Sequence, residues 1–204
     1  MPTVEKAKPE LRSSGIPVVG IQGGLGSFNH MAADEWLPKC GFARWELRCF
    51  NSTTALFQAL RARQVDCGQF AIFNSSAGFY SESLQAVSQN VFEVVANYKI
   101  PIVHCLIHHP SIGRDQVAKI ITHREVLKQC RNKLALKYPA VEIVEGAGEL
   151  TEPASVAAAI AAKKLELNAA TISCVRLAEE YRLVVGDSGL QDVDGNESTF
   201  LLVR

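Results

Sequence analysis

The chain has 204 residues, 48% hydrophobic and 21% charged, enough to bury the core of one or two domains and unlike a disordered or membrane-spanning chain. Lys plus Arg number 21 and Asp plus Glu number 21, a formal net charge of zero. That balance excludes a general nucleic-acid binder, which needs a basic excess over phosphates, but not a small anionic ligand held by a few placed donors.

The polar segment 1–15 has no apolar stretch of the kind a secretory signal needs and reads as a flexible tail of a cytoplasmic protein. The β-branched run at 16–21 predicts a buried strand. The loop Gly23-Gly24-Leu25-Gly26-Ser27 then opens a helix on which Phe28, Met31, Ala32 and Trp36 follow helical spacing. A helix over 53–63, capped by Ser52 or Thr53, precedes a strand over 66–73 and the polar turn Asn74-Ser75-Ser76-Ala77-Gly78. A short helix follows at 83–87, then an apolar run at 100–107 and a shorter one at 119–122. A strong helix spans 124–137 and is ended by Tyr138-Pro139. After a strand at 141–144, Thr151-Glu152-Pro153 supplies a hydroxyl cap and an early proline for an alanine-rich helix to Lys164. Strands at 168–173, 183–185 and 199–203, with a helix over 175–181 after the first, complete the chain. Such alternation predicts an α/β protein with mostly parallel strands and crossover helices.

Six cysteines (Cys40, Cys49, Cys67, Cys105, Cys130, Cys174) are scattered without a C-x-x-C pair, which predicts buried or half-buried thiols in a reducing compartment and no metal site. Four places carry candidate chemistry. The glycine loop before a helix brings backbone N–H groups and a positive dipole end to an anion, although it matches neither a dinucleotide fingerprint nor a P-loop. Asn74-Ser75 follows the carboxyl end of a buried strand, where open α/β sheets bind ligands. His104 is polar inside an apolar run, and Ser198 and Thr199 lead into the last strand.

The order of these places resembles the prephenate dehydratase family from about Val18 to Val203. The loop from Gly23 to Ala33 is similar to that family's Gly-Pro-x-Gly-Ser/Thr-Phe/Tyr-Ser/Thr-His-x-Ala-Ala, with Gly24 in place of proline. The segment Val65 to Ser75 resembles Ala-Asp-Tyr-Gly-x-x-Pro-Ile-Glu-Asn-Ser. Ile100 to Leu106 resembles Leu-Pro-Ile-x-His-x-Leu, and Thr122-His123-Arg124 through Gln129-Cys130-Arg131 resembles a Ser-His-Pro segment ending Gln-Cys-Arg. Asn196-Glu197-Ser198-Thr199-Phe200 stands where the family has Asn-x-Thr-Arg-Phe.

The resemblance implies a two-lobed, type II periplasmic-binding-protein-like catalytic domain with its site between the lobes. The lobes are expected at 16–98 with 190–204, and at 99–189. It implies a lyase converting prephenate to phenylpyruvate, water and CO2 without cofactor or metal, and it allows a homodimer. Gly26 and Ser27 would hold a carboxylate, with Asn74, Ser75, His104, Thr151 and Phe200 around the substrate. Ser198 would take the catalytic threonine's place, next to Thr199. Thr199 cannot replace the family's arginine as a bidentate carboxylate partner, a loss worth about 2–5 kcal/mol unless Arg131, Arg176 or another cation substitutes. Phe73, where the family has glutamate, makes that wall more apolar. A related branch of non-aromatising prephenate decarboxylases, and a non-catalytic module for aromatic keto acids or amino acids, are the alternatives. The family's phenylalanine-binding regulatory domain and a chorismate mutase domain are not expected here.

Overall fold

A computed structural model describes residues 15–204, so the expected N-terminal tail lies, apart from Gly15, outside the described residues. Its first half comprises β1 (Val18–Gln22), α1 (Phe28–Trp36), β2 (Glu46–Phe50), α2 (Thr53–Arg61), β3 (Cys67–Asn74), β4 (Gly78–Phe79), α3 (Ser81–Ser88) and β5 (Val94–Pro101). The second contains β6 (Cys105–His108), β7 (Lys119–Thr122), α4 (Arg124–Lys137), β8 (Glu142–Glu145), α5 (Pro153–Ala161), β9 (Ala169–Ser173), α6 (Val175–Tyr181) and β10 (Val184–Asp187). The last strand, β11 (Glu197–Val203), returns to the first half.

These strands form two sheets, ordered β2-β1-β3-β11-β5 with β4 beside β3, and β10-β6-β9-β7-β8. The two-lobed α/β architecture is the expected one, but the sheets are mixed rather than mostly parallel. β1 runs parallel to β2 and β3, whereas β11 is antiparallel to both β3 and β5. In the second sheet β7 is parallel to β8 and β9, while β6 is antiparallel to β9 and β10. The reason for the first sheet is topological: the chain leaves it at Pro101 and re-enters beside that point at Glu197, so β11 runs back antiparallel to β5.

The apolar run at 100–107 is therefore not one strand. β5 ends at Pro101, β6 begins at Cys105, and residues 102–104 cross between the sheets. The returning segment lies alongside: Ile102 N donates to Asn196 O at 2.8 Å, and Leu190 N to His104 O at 3.0 Å. Two hydrogen-bonded crossings place both sheets against one gap.

Helix starts follow from side chains that accept otherwise unpaired N–H groups. Ser27 Oγ accepts from His30 N at 3.3 Å, Ser52 Oγ from Ala55 N at 3.1 Å, and His123 Nδ1 from Glu125 N at 3.2 Å. α5 departs from expectation: its cap position is Glu152, with no side-chain bond, and Thr151 Oγ1 instead turns back to Gly148 O at 2.9 Å. Pro153 still opens that helix, with φ preset.

Each sheet has its own core. Around the first, Phe57 packs on Phe70 and Phe92, and Trp36 stacks on Tyr98 with ring centres 4.9 Å apart. Phe70 and Phe200 are fully buried, each contributing on the order of 2–3 kcal/mol through removal of its ring from water. The second core is aliphatic, built from Val156, Ala157, Ile160, Ala170, Ile172 and neighbours. Cys67, Cys105, Cys130 and Cys174 are buried as expected, while Cys49, contrary to expectation, is exposed on the edge strand β2. Burial pushes the Cys67 and Cys130 thiols up to about 12, which makes them inert packing groups. Among the described residues no helix is long and apolar enough to cross a membrane.

Candidate active site

A cleft of about 160 Å³ opens between the two sheets. The first lobe supplies Gln22, Gly23, Gly24, Ser27, Phe28 and Asn29 from the β1–α1 turn, with Ala71, Tyr80, Ser198 and Phe200 from the sheet side. Ile102 and His104 come from the crossing. From the second lobe come His123, Glu125, Val126 and Gln129 of α4 and its cap, Glu152, Pro153 and Ala154 of α5, and Ser173 and Leu177. The N-terminal ends of α1, α4 and α5 thus meet at one cleft, and their first-turn N–H groups and dipoles favour negative charge there. Strand order dictates this: each of these helices begins near the cleft end of its sheet.

The first-lobe wall is a closed hydrogen-bond lattice. Asn74 Oδ1 accepts from Ser76 N at 2.9 Å and Ala77 N at 2.8 Å, which fixes the amide orientation. Its Nδ2 then donates to Asn196 Oδ1 at 2.7 Å and to Ser198 Oγ at 3.0 Å. Because Ser198 Oγ accepts there, its own proton is left to donate. The hydroxyl of Tyr80 lies 3.4 Å from the same oxygen. Burial, first, and the nearby Glu125 charge push the Tyr80 phenol up, so it stays protonated against the opposing bond to Ser198.

The lattice continues into the second lobe. Asn196 Nδ2 donates to Gln129 Oε1 at 2.7 Å, while Gln129 Nε2 donates to Glu125 O at 3.1 Å. Gln129 Oε1 is thus the acceptor for His104 Nε2, 3.0 Å away, and this assigns the proton of His104 to Nε2. The ring is 1% exposed and T-stacked on Phe28, and burial lowers its pKa to about 4 against the Gln129 bond. His104 is accordingly neutral, with Nδ1 a buried acceptor that has no partner within the protein.

The carboxylates facing the cleft are Glu125 and Glu152, with the imidazole of His123 beside them; among the described lining residues there is no lysine or arginine. Glu152 Oε1 is 4.0 Å from His123 Nε2. Burial raises the Glu152 carboxyl, His123 opposes that, and the charge of Glu82 adds to it. Glu82 itself accepts from Thr53 N, Thr54 N and Gln22 Nε2. Neither arginine considered as a substitute cation reaches the wall: Arg131 is exposed, and Arg176 pairs with Asp34 at 3.1 Å. Among the described residues no three His, Cys, Asp or Glu side chains converge as metal ligands do.

Of the residues singled out by sequence, the structure brings Ser27, His104, Ser198 and Phe200 to the cleft wall. Asn74 stands one layer behind Ser198, and Ser75 behind Asn196, its Oγ accepting from Glu197 N at 2.9 Å. Gly26 does not line the cleft; with φ +77° it packs on Leu177, and its carbonyl accepts from Cys174 Sγ at 2.9 Å. Thr199 is absent from the wall because strand alternation turns it to the opposite face from Ser198, beside Phe73 and Lys99 of the neighbouring strands. Thr151 also misses the wall, since it closes the turn at Gly148. Tyr80, Gln129, Glu125 and Glu152 line the cleft without having been singled out as site residues; Glu125 and Glu152 sit in the first turn and at the start of predicted helices, which was the available signal.

Comparisons with known proteins agree with this architecture. A profile of the prephenate dehydratase family matches residues 19–204. Arogenate dehydratase 4, chloroplastic, of Arabidopsis thaliana is 28% identical over 185 residues, covering 91% of this chain and 41% of the relative. Arogenate dehydratase/prephenate dehydratase 6, chloroplastic, of the same plant is 27% identical over 190 residues, covering 91% and 42%. The chain thus spans about two fifths of the length of these relatives. The fold matches the prephenate dehydratase of Arthrobacter aurescens in complex with L-Phe at a TM-score of 0.78 and 22% identity, over 91% of this chain and 59% of that one. The chain belongs to the prephenate dehydratase family.

Proposed function

We propose that this member of the prephenate dehydratase family is a lyase that aromatises a cyclohexadienol bearing a ring carboxylate, either prephenate or the amino-bearing arogenate after which its relatives are named. The observation that carries the reading is the Ser198 hydroxyl on the cleft wall, oriented by Asn74 so that its proton points away from the amide. In the reaction the ring C–CO2 bond breaks and its electron pair enters the ring. The ring C–O bond breaks in turn, and the departing oxygen takes one proton and leaves as water. Ser198 donates a hydrogen bond to that oxygen as negative charge builds, with the protonated Tyr80 as a second donor in reach. Ser27 and the first turn of α1 receive a substrate carboxylate, which needs no guanidinium at position 199. Aromatisation supplies the driving force, and the protein's part is orientation and charge stabilisation.

The test is product identification from purified protein supplied separately with prephenate and with L-arogenate. The expected products are phenylpyruvate and L-phenylalanine respectively, each with one CO2. A decarboxylated product that keeps the ring hydroxyl would establish the non-aromatising branch instead. Saturable binding without substrate loss would make the chain a binding module.

A further inference from the structure

The hydroxyl that must leave and the three-carbon side arm of such a substrate sit para on the ring, at its opposite ends. With the hydroxyl at Ser198 on the first-lobe wall, the arm points to the second lobe. There the cleft is lined by Glu152, with His123 at 4.0 Å, and by Glu125 on the first turn of α4. Glu82, held on the first lobe by Gln22 and the start of α2, adds its charge to that of Glu152. No lysine or arginine among the described lining residues offsets these carboxylates. A keto oxygen brought there sets lone pairs against lone pairs, whereas an ammonium donates protons and neutralises the wall.

We propose that Glu152 is the specificity residue of this cleft, accepting from the α-ammonium of an amino-acid side arm and disfavouring an α-keto arm. The inference rests on the lyase reading above for the orientation of the ring. Helix capping does not occupy the Glu152 carboxylate, which stands at the cap position of α5 without making a capping bond, and Pro153 opens the helix regardless. The dipole at the start of α5 favours a negative charge at this position but takes up none of the carboxylate's lone pairs.

Steady-state kinetics with L-arogenate and prephenate test it. The wild-type chain is expected to favour arogenate at least tenfold in kcat/KM. Glu152→Gln lowers that preference at least tenfold, mainly through a raised KM for arogenate, and Glu152→Asp restores most of it. An unchanged ratio in Glu152→Gln overturns the proposal. Calorimetric titration with the product pair L-phenylalanine and phenylpyruvate, which needs no turnover, separates this inference from the lyase reading. If neither substrate reacts, the lyase reading fails, yet tighter L-phenylalanine binding that Glu152→Gln abolishes still supports the ammonium site. Equal affinity for the two products, or no saturable binding of either, overturns it.

Discussion

The two walls of the cleft are made differently. On the first lobe the polar groups are buried and tied to one another: Asn74 holds Ser198 and Asn196, and Gln69 accepts from Tyr98 and donates to Asn29 O at 2.6 Å. On the second lobe, apart from the buried Gln129 that joins this lattice, the titratable groups stand on helix starts and are partly exposed, with Glu152 and His123 side chains about one-third open to solvent at 32% and 28%. A buried lattice is costly to disturb because every member leaves another unpaired, while a solvated charge is replaced at little cost. The lesson is a division of labour: the first lobe fixes the reacting hydroxyl and the second sets the charge that the ligand meets.

Asn74→Ala should have the largest effect on the protein. It strands the N–H groups of Ser76 and Ala77 and the side chains of Asn196 and Ser198, a loss of about 4 kcal/mol that lowers Tm by roughly 10 °C in a calorimetric scan. Glu152→Gln in the same scan should lie within about 0.5 kcal/mol of wild type. Equal losses from the two substitutions would erase the contrast between the walls.

Acid should act through His104, at the join of the lobes. Its folded pKa of about 4 lies below the ordinary histidine value of 6.5, so the unfolded chain binds the extra proton first. Stability falls as pH drops from about 6.5 to about 4, by about 3 kcal/mol in all, and is recovered above that window. Urea unfolding at a series of pH values measures it, and His104→Asn should flatten the slope across the window. A slope identical to wild type in that variant would assign the acid sensitivity elsewhere.

Gly24→Ala sharpens the comparison at the point where the walls touch. A β-carbon on Gly24 would sit 2.7 Å from the Ala154 methyl, across the cleft at the start of α5. The added group wedges the lobes apart at a cost of about 2 kcal/mol and should raise KM more than it lowers kcat. The smallest effect is expected from Tyr80→Phe, which removes a secondary donor 3.4 Å from Ser198 and should reduce kcat/KM about tenfold with stability nearly unchanged. A rate equal to wild type would leave Ser198 as the sole donor on that wall.

Much of the fold was legible in the sequence because its strands are short apolar runs and its helices carry their own starts; α4 and α6 occupy the predicted residues. β2 was not legible, since Glu46, Arg48 and Cys49 of this edge strand are exposed and leave no apolar run to read. The opening of β5, with Asn97 and Lys99 among its residues, failed for the same reason. Periodicity also could not show that the run at 100–107 crosses between sheets, because the crossing is itself buried at Ile102 and His104. In the site, the glycine turn, His104 and Ser198 were found through their place in an ordered set of motifs. The lattice around them was not, because Asn74 reaches Ser198 across 124 residues and Asn196 reaches Gln129 across 67. Thr199 was misplaced relative to the cleft for a local reason: adjacent strand residues face opposite sides, and only the burial of Ser198 and Phe200 shows which side is inward.

The Ser198 hydroxyl as donor to the departing oxygen is the central claim, and the direct measurement is single-turnover aromatisation by Ser198→Ala and Ser198→Thr beside wild type. The hydroxyl's removal should slow product formation at least about 100-fold, and threonine, which keeps it, should hold the rate within about fivefold. An alanine variant that forms the aromatic product at the wild-type rate would contradict the claim.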